Sequence, residues 1–349
     1  MDAVSHADAV LPTREAIDEG VYLDVLRAAG VAADEITRPE STGFESGKSM
    51  FDAFEARKHG RTEVRVVVKR SPSGANLLAR REVAFYKEIA PRVRAPVLAR
   101  CYGVVFSEDD GAFHLLLEDL RASHRKLESD FVSRPGEPAL RALISAAAPV
   151  HAAFWEHPDL EALDPLKSPD ELRAFYDHYA AELERLAPKV MSNERLALFV
   201  RGHEALAEIV KRGAGRRDRR SIVHADAHPR NVLMPRAESG ESARLIDWER
   251  WMATSPTRDL AYVLSFGYAP AAKRALRTRA LHRHFEMLGE AGVSNYAWPQ
   301  YLDDYHRAVL ACLPNLVWLL EAASLEEFWD QLLVNYADEV ASSLRALRF

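Results

Sequence analysis

Cysteine is scarce: Cys101 and Cys312 are the only two in 349 residues. Two lone cysteines make no disulfide framework, and both lie in apolar stretches (ARCYGVVF and VLACLPNLV), where they read as small buried hydrophobes. No CxxC or HExxH spacing occurs, which argues against a structural zinc. Long apolar runs are also missing. The longest, Ala308 to Leu320, contains Pro314 and Asn315 and is too short to span a bilayer. There is no excess of positive charge: Lys plus Arg total 46 against 52 Asp plus Glu, a formal net charge of −6. Nothing of that sign draws the whole chain to nucleic acid or to an anionic membrane. The opening residues carry acids and no apolar core, so no signal peptide is expected and the expected location is the cytoplasm. What is present is an ordinary globular composition, 48% hydrophobic and 28% charged, in a length that suggests two lobes.

Local patterning changes along the chain. Residues 12–29 show apolar residues at helical spacing (Ile17, Val21, Val25, Ala28) with Gly30 as a stop signal. Segments 34–40, 50–56 and 62–70 read as an antiparallel meander. Residues 74–90 return to a helical period, and Pro91 is expected to end that helix near Ala90. Strands follow at 97–106 and 112–118. From Leu120 onwards long helices dominate (138–157, 170–187, 192–212), interrupted by short strands at 221–223, 232–235 and 243–247. The expected architecture is α+β: a small antiparallel-sheet lobe, residues 1–118, and a larger helical lobe, residues 119–349.

The chemistry concentrates in a few places. His224-Ala-Asp226-Ala-His228-Pro-Arg-Asn231 sets a carboxylate and an amide five residues apart on a loop between short strands. Asp247 ends the apolar strand Ala243–Ile246 sixteen residues later. Magnesium favours one or two oxygen side chains plus waters and phosphates, which Asn231 and Asp247 can supply. Asp226 is then free to take the proton of an incoming hydroxyl, the arrangement of phosphoryl transfer. In the other lobe, Lys69 ends the strand Val66-Val-Val68, where a partly buried ammonium needs a partner. Glu82, on the following helix, can pair with it and hold it against nucleotide phosphates.

The motifs Val-Val-Val-Lys69, Arg81-Glu82-Val-Ala-Phe-Tyr86, Leu115-Leu-Leu-Glu118-Asp-Leu120, His224 to Asn231 and Leu245-Ile-Asp247-Trp-Glu249 occur in that order. This succession resembles the aminoglycoside phosphotransferase and choline kinase superfamily, nearest to its ecdysteroid-kinase-like branch. The resemblance implies a bilobal protein-kinase-like fold with ATP between the lobes. It implies Asp226 as catalytic base, Asn231 and Asp247 as magnesium ligands, and Lys69 on the α- and β-phosphates with Glu82 behind it. Glu118 to Leu120 would be the hinge whose backbone meets the adenine. Asp259 matches a family aspartate that braces the catalytic loop. Arg230 stands where the family usually has glycine, which puts a cation beside the metal site.

Gly43-Phe-Glu-Ser46-Gly47-Lys48-Ser49 looks like a Walker A loop but has three residues between its glycines where that motif needs four. The reading preferred here is a loop whose backbone, at Gly43, Ser46 and Gly47, covers nucleotide phosphates. His224, His228 and His151 read as bracing hydrogen-bonders. Candidate acceptor-site residues are Arg230, Glu249, Trp251 and Asp304. Only eleven residues separate Asp247 from Asp259, too few for an ordered activation segment, which favours a small-molecule acceptor over a protein. The expected activity is ATP- and Mg²⁺-dependent transfer of the γ-phosphoryl group to a hydroxyl, with a sugar-bearing antibiotic or natural product as first acceptor. A choline-like or other metabolite kinase and an inactive nucleotide-binding scaffold are the alternatives. Neither a nucleic-acid nor a membrane partner is expected, and the oligomeric state is open.

Overall fold

The computed structural model describes residues 7–11, 16–38, 44–46, 49–70, 77–107, 112–127, 136–213, 218–237, 239–268, 270–321 and 328–349. The chain divides into two compact units: Met1–Arg125 with Pro235–Arg250, and Lys126–Met234 with Trp251–Phe349. The first unit therefore runs past Glu118 and takes in a later segment that the linear reading placed in the second lobe. That segment is tied in by backbone pairing. Leu245 bridges in parallel to Leu98, and its amide donates to the Val97 carbonyl at 2.9 Å.

The first unit is built on a sheet that is seven-stranded among the described residues. Its strands are β1 (Ala7–Leu11), β2 (Glu35–Thr37), β3 (Phe44–Ser46), β4 (Ser49–Lys58), β5 (Arg61–Arg70), β6 (Cys101–Ser107) and β7 (Phe113–Glu118). The order is β1-β6-β7-β5-β4-β2, with β3 also paired to β4. All pairs are antiparallel except β1 with β6. The anticipated helix at 12–29 is shorter: α1 covers Glu19–Ala28, capped by the Asp18 carboxylate accepting from the Val21 amide at 3.1 Å. Ahead of it stands β1, a strand the sequence reading did not anticipate.

Helix α1 and the sheet make one core, with Tyr22, Val25 and Leu26 against Phe54, Val66, Val68, Tyr102, Val105 and Leu116. Successive strand side chains point to opposite faces. Because Val66 and Val68 face α1, Val67 and Lys69 emerge on the other face. There lies α2 (Leu77–Ala84), which continues as a π-helical turn over Phe85–Ile89. That turn ends at Ile89 with Ala90 as its C-cap, where Pro91 was expected to stop the helix. A separate 3₁₀ turn, Ala90–Arg92, follows, with Pro91 near its start, where a missing amide hydrogen costs no bond.

The second unit is mainly helical: α3 (Glu137–Ala153), α4 (Leu160–Leu163), α5 (Pro169–Val190), α6 (Asn193–Gly213), α7 (Arg258–Gly267), α8 (Pro270–Glu290), α9 (Trp298–Ala311), α10 (Leu313–Glu321) and α11 (Trp329–Leu347). Every residue of α7 is buried, so this helix is the centre of the unit. It packs against α8, α9 and α11. The strands Ser221–Val223 and Met252–Thr254 pair antiparallel and flank the Asp226 loop. Among the described residues, no helix is long and apolar enough to cross a membrane.

Candidate active site

Lys69 lies at the end of β5, in register with Leu115 of β7 and Phe51 of β4. It is 9% exposed, and so buried an ammonium must be compensated. Its Nζ donates to Glu82 Oε2 at 2.5 Å and to Asp247 Oδ1 at 2.7 Å. The expected Lys69–Glu82 pair is present, and a second carboxylate joins it. Burial opposes the charge on Lys69, but the two carboxylates outweigh it and hold the ammonium above its ordinary range. Burial pushes the Glu82 carboxyl up to about 6, against the pull of Lys69; the charges of Asp247 and Glu249 add to the rise. Two carboxylates share the Lys69 ammonium here.

Asp247 adopts a left-handed backbone conformation, φ 67°, uncommon for a residue with a side chain. The strand Arg244–Leu245 ends before it, and this turn brings its carboxylate to Lys69. Behind it the Trp248 ring stacks on Phe85, with centroids 4.1 Å and planes 8° apart. Trp248 Nε1 donates to the Leu245 carbonyl at 3.0 Å. Phe85 lies one turn after Glu82, so the stack joins the helix carrying Glu82 to the turn carrying Asp247.

In the second unit, Asp226 is set by its backbone. The buried Asp259 carboxylate accepts from the His224 amide at 2.9 Å and the Ala225 amide at 2.8 Å. Ala225 is also left-handed, φ 63°. Burial raises the Asp259 carboxyl, but its hydrogen bond from His151 and these amides hold it below the usual carboxylate range. Asp259 thus braces the loop as its motif implied. The Asp226 amide donates to His224 Nδ1 at 3.3 Å, which makes His224 a brace as well. The Asp226 carbonyl accepts from the His228 amide at 2.9 Å and from Asn231 Nδ2 at 3.1 Å. The Asn231 amide nitrogen is thereby turned inward, and Oδ1 is the atom left for a ligand. The Asp226 side chain is 16% exposed, with His228 Nε2 at 3.7 Å from Oδ2.

Residues 51–293 match the family described as "Phosphotransferase enzyme family". The chain belongs to it. None of the curated proteins matches the sequence. Among solved structures, this phosphotransferase is similar to a microcompartment-associated aminopropanol kinase: TM-score 0.52, 14% identity, covering 95% of this chain and 98% of that one. It is also similar to choline kinase from Cryptosporidium parvum Iowa II: TM-score 0.54, 10% identity, covering 95% and 96%. A third likeness is to wild-type aminoglycoside 2′-phosphotransferase-IIIa in complex with GDP: TM-score 0.54, 10% identity, covering 93% and 99%. At these identities the likeness is one of fold, and the fold is the bilobal, kinase-like α+β one.

The other expected site residues of the phosphotransferase are placed as follows. In the expected hinge segment, the Glu118 and Asp119 amides donate to the carbonyls of Arg100 and Arg65 at 2.8 and 3.0 Å. The Glu118 carboxylate accepts from the Arg100 amide at 3.2 Å, and Leu120 is buried. Ser46 pairs with Ser49 between β3 and β4. Gly43 and Gly47 lie outside the described residues. Arg230 is exposed beside Asn231, and Glu249 is half-buried beside the Lys69 centre. Trp251 is buried. Asp304 is buried too, accepting from the Tyr296 hydroxyl at 2.9 Å and paired with Arg219 at 3.3 Å. Sequence reasoning missed two residues near this machinery, His284 and Tyr301, which join His151 in the helical unit.

Proposed function

We propose that this phosphotransferase moves the γ-phosphoryl group of ATP, with magnesium, to a hydroxyl of a small molecule, sugar-bearing antibiotics and related natural products being the first acceptor class. The observation that carries the reading is the buried Lys69 ammonium held between Glu82 and Asp247. A phosphate-binding lysine needs this fixed placement, and a carboxylate beside it can serve a metal.

Asn231 and Asp247 offer hard oxygen donors of the kind a divalent cation takes. These residues fit magnesium, which when bound neutralises charge on the phosphate oxygens. Lys69 holds the α- and β-phosphates. Asp226 accepts the proton of the acceptor hydroxyl as its oxygen bonds to the γ-phosphorus. The bond from that phosphorus to the bridging oxygen breaks, and ADP leaves. The Leu120 end of the hinge meets the adenine, and Arg230 and Glu249 are the side chains assigned to the acceptor, whereas Trp251 and Asp304 are buried and are left to the core.

The short path between the motifs supports a small acceptor. After Asp247 the chain makes one 3₁₀ turn, Trp248–Arg250, then the strand Met252–Thr254, and enters α7 at Arg258. That leaves no length for a peptide platform.

The test is ADP formation from Mg-ATP across antibiotics, nucleosides, sugars and amino alcohols, with the Asp226→Asn protein as blank. Acceptor-dependent ADP with a phosphorylated product by mass spectrometry is expected. Equal ADP release by the blank, or no product with any acceptor and no thermal shift with Mg-ATP, rejects the reading.

A further inference from the structure

Behind the Asp226 loop lies a line of buried polar side chains to which the proposed chemistry assigns no part. His151 on α3 is wholly buried and its Nε2 lies 3.1 Å from Asp259 Oδ2. Its Nδ1 lies 2.9 Å from His284 Nε2 on α8. His284 Nδ1 lies 2.8 Å from the hydroxyl of Tyr301 on α9. His284 and Tyr301 are as fully buried as His151. With Asp259 on α7, four helices meet along one chain of hydrogen bonds.

The direction of the hydrogens follows from elementary chemistry. An ionised carboxylate only accepts, so His151 Nε2 carries a hydrogen. Burial, and the imidazole of His151 next to it, drive the proton affinity of His284 far down, so His284 is neutral with a single N–H. Among the described residues, the Tyr301 hydroxyl has no hydrogen-bond partner but His284 Nδ1. If that nitrogen carried the hydrogen, the hydroxyl hydrogen would be stranded in the core. Tyr301 therefore donates to His284, His284 donates through Nε2 to His151, and His151 donates to Asp259. Every hydrogen points toward the carboxylate that holds the His224 and Ala225 amides.

We propose that His284 and Tyr301 are positioning residues for Asp226, acting through His151 and Asp259 to hold the loop in its strained geometry. The left-handed Ala225 immediately before Asp226 is a conformation that an alanine leaves readily, and its amide bond to Asp259 keeps it there. A carboxylate oriented by the His151 N–H keeps one oxygen toward each loop amide. Loosening the far end lets Asp259 turn and the loop relax. The part concerning turnover rests on the phosphotransferase reading above; the part concerning loop geometry does not.

Tyr301→Phe removes one oxygen and keeps the ring. His284→Leu removes both links, and His284→Gln restores a donor toward His151. Hydrogen–deuterium exchange read at the His224 and Ala225 amides needs no acceptor. The expected result is exchange about tenfold faster at those amides in Tyr301→Phe and His284→Leu, with α11 unchanged and partial recovery in His284→Gln. Turnover should fall about five- to tenfold in Tyr301→Phe with the KM for ATP unchanged. Unaltered exchange at these amides, or a uniform rise across the helical unit, overturns the proposal. So does unaltered turnover. If wild-type protein transfers no phosphoryl group at all, the functional reading fails, and the exchange pattern still decides this one.

Discussion

At Lys69, charged side chains hold one another: an ammonium sits between two carboxylates, and no backbone amide is among its described partners. At Asp226, a single buried carboxylate holds two backbone amides, and two imidazoles stand behind it. The first arrangement places charge, the second places a chain direction. A group that meets phosphates needs a defined charge in a defined spot. The side chain of Asp247 is 42% exposed, which suits a shared ligand, whereas Asp259 is fully buried and serves only the protein.

This contrast can be broken most directly by removing the proposed base. Asp226→Asn should lower turnover by about 10²–10⁴-fold and leave Mg-ATP affinity within about twofold, whereas Asp247→Ala should weaken Mg-ATP binding itself. Calorimetric titration separates the two; equal losses of nucleotide affinity in both would refute the division of roles. Next in size is Lys69→Met, which strands Glu82 in the interior. A loss of about 3–5 kcal/mol in unfolding free energy is expected, part of which should return in Lys69→Met combined with Glu82→Leu. Denaturant titration reads both, and a double variant no more stable than the single one would show the pair to be unimportant.

The two regions should also answer acid in opposite senses. The folded Glu82 carboxyl titrates higher than its unfolded counterpart. Its stabilising contribution is complete below pH 4.5 and is lost as pH rises through about 6, on the order of 2 kcal/mol. Asp259 is held low, so its contribution is present above pH 3.8 and is lost as pH falls below that. Glu82→Gln should flatten the first slope and leave the second. A melting-temperature series over pH 3 to 7 tests this, and an unchanged slope in that variant would contradict the assignment. The smallest effect expected is from Phe85→Leu, which removes the ring stacked on Trp248 and should cost about 1 kcal/mol with a modest loss of Mg-ATP affinity.

Much of this was legible in the sequence because it was local. A lysine at the end of the apolar run Val66-Val-Val68 pointed to a partly buried ammonium in need of a partner, and helical spacing put Glu82, Tyr86 and Ile89 on one side of the next helix. The Asp226 loop announced itself between short strands of three and four residues. What was not legible depended on partners distant in sequence. The pairing of Lys69 with Asp247 spans 178 residues, and nothing near Asp247 hints that it would turn to a lysine. His284 sits in α8 between Arg283 and Phe285, and only its neighbours from α3 and α9 give it a role. The same holds for β1: a five-residue acidic-apolar stretch reads as loop until its partner, about a hundred residues on, is known.

That parallel pairing has a practical consequence for anyone handling the protein. By lying along β6, β1 occupies the row of amides and carbonyls that would otherwise form an unprotected border of the sheet. Trimming residues 7–11 to shorten an expression clone would uncover that border beside the apolar Val104 and Val105. Removing the edge strand β1 makes β6 the new edge, and the shortened protein is expected to aggregate more readily than the full chain, with Lys69, Glu82 and Asp247 untouched.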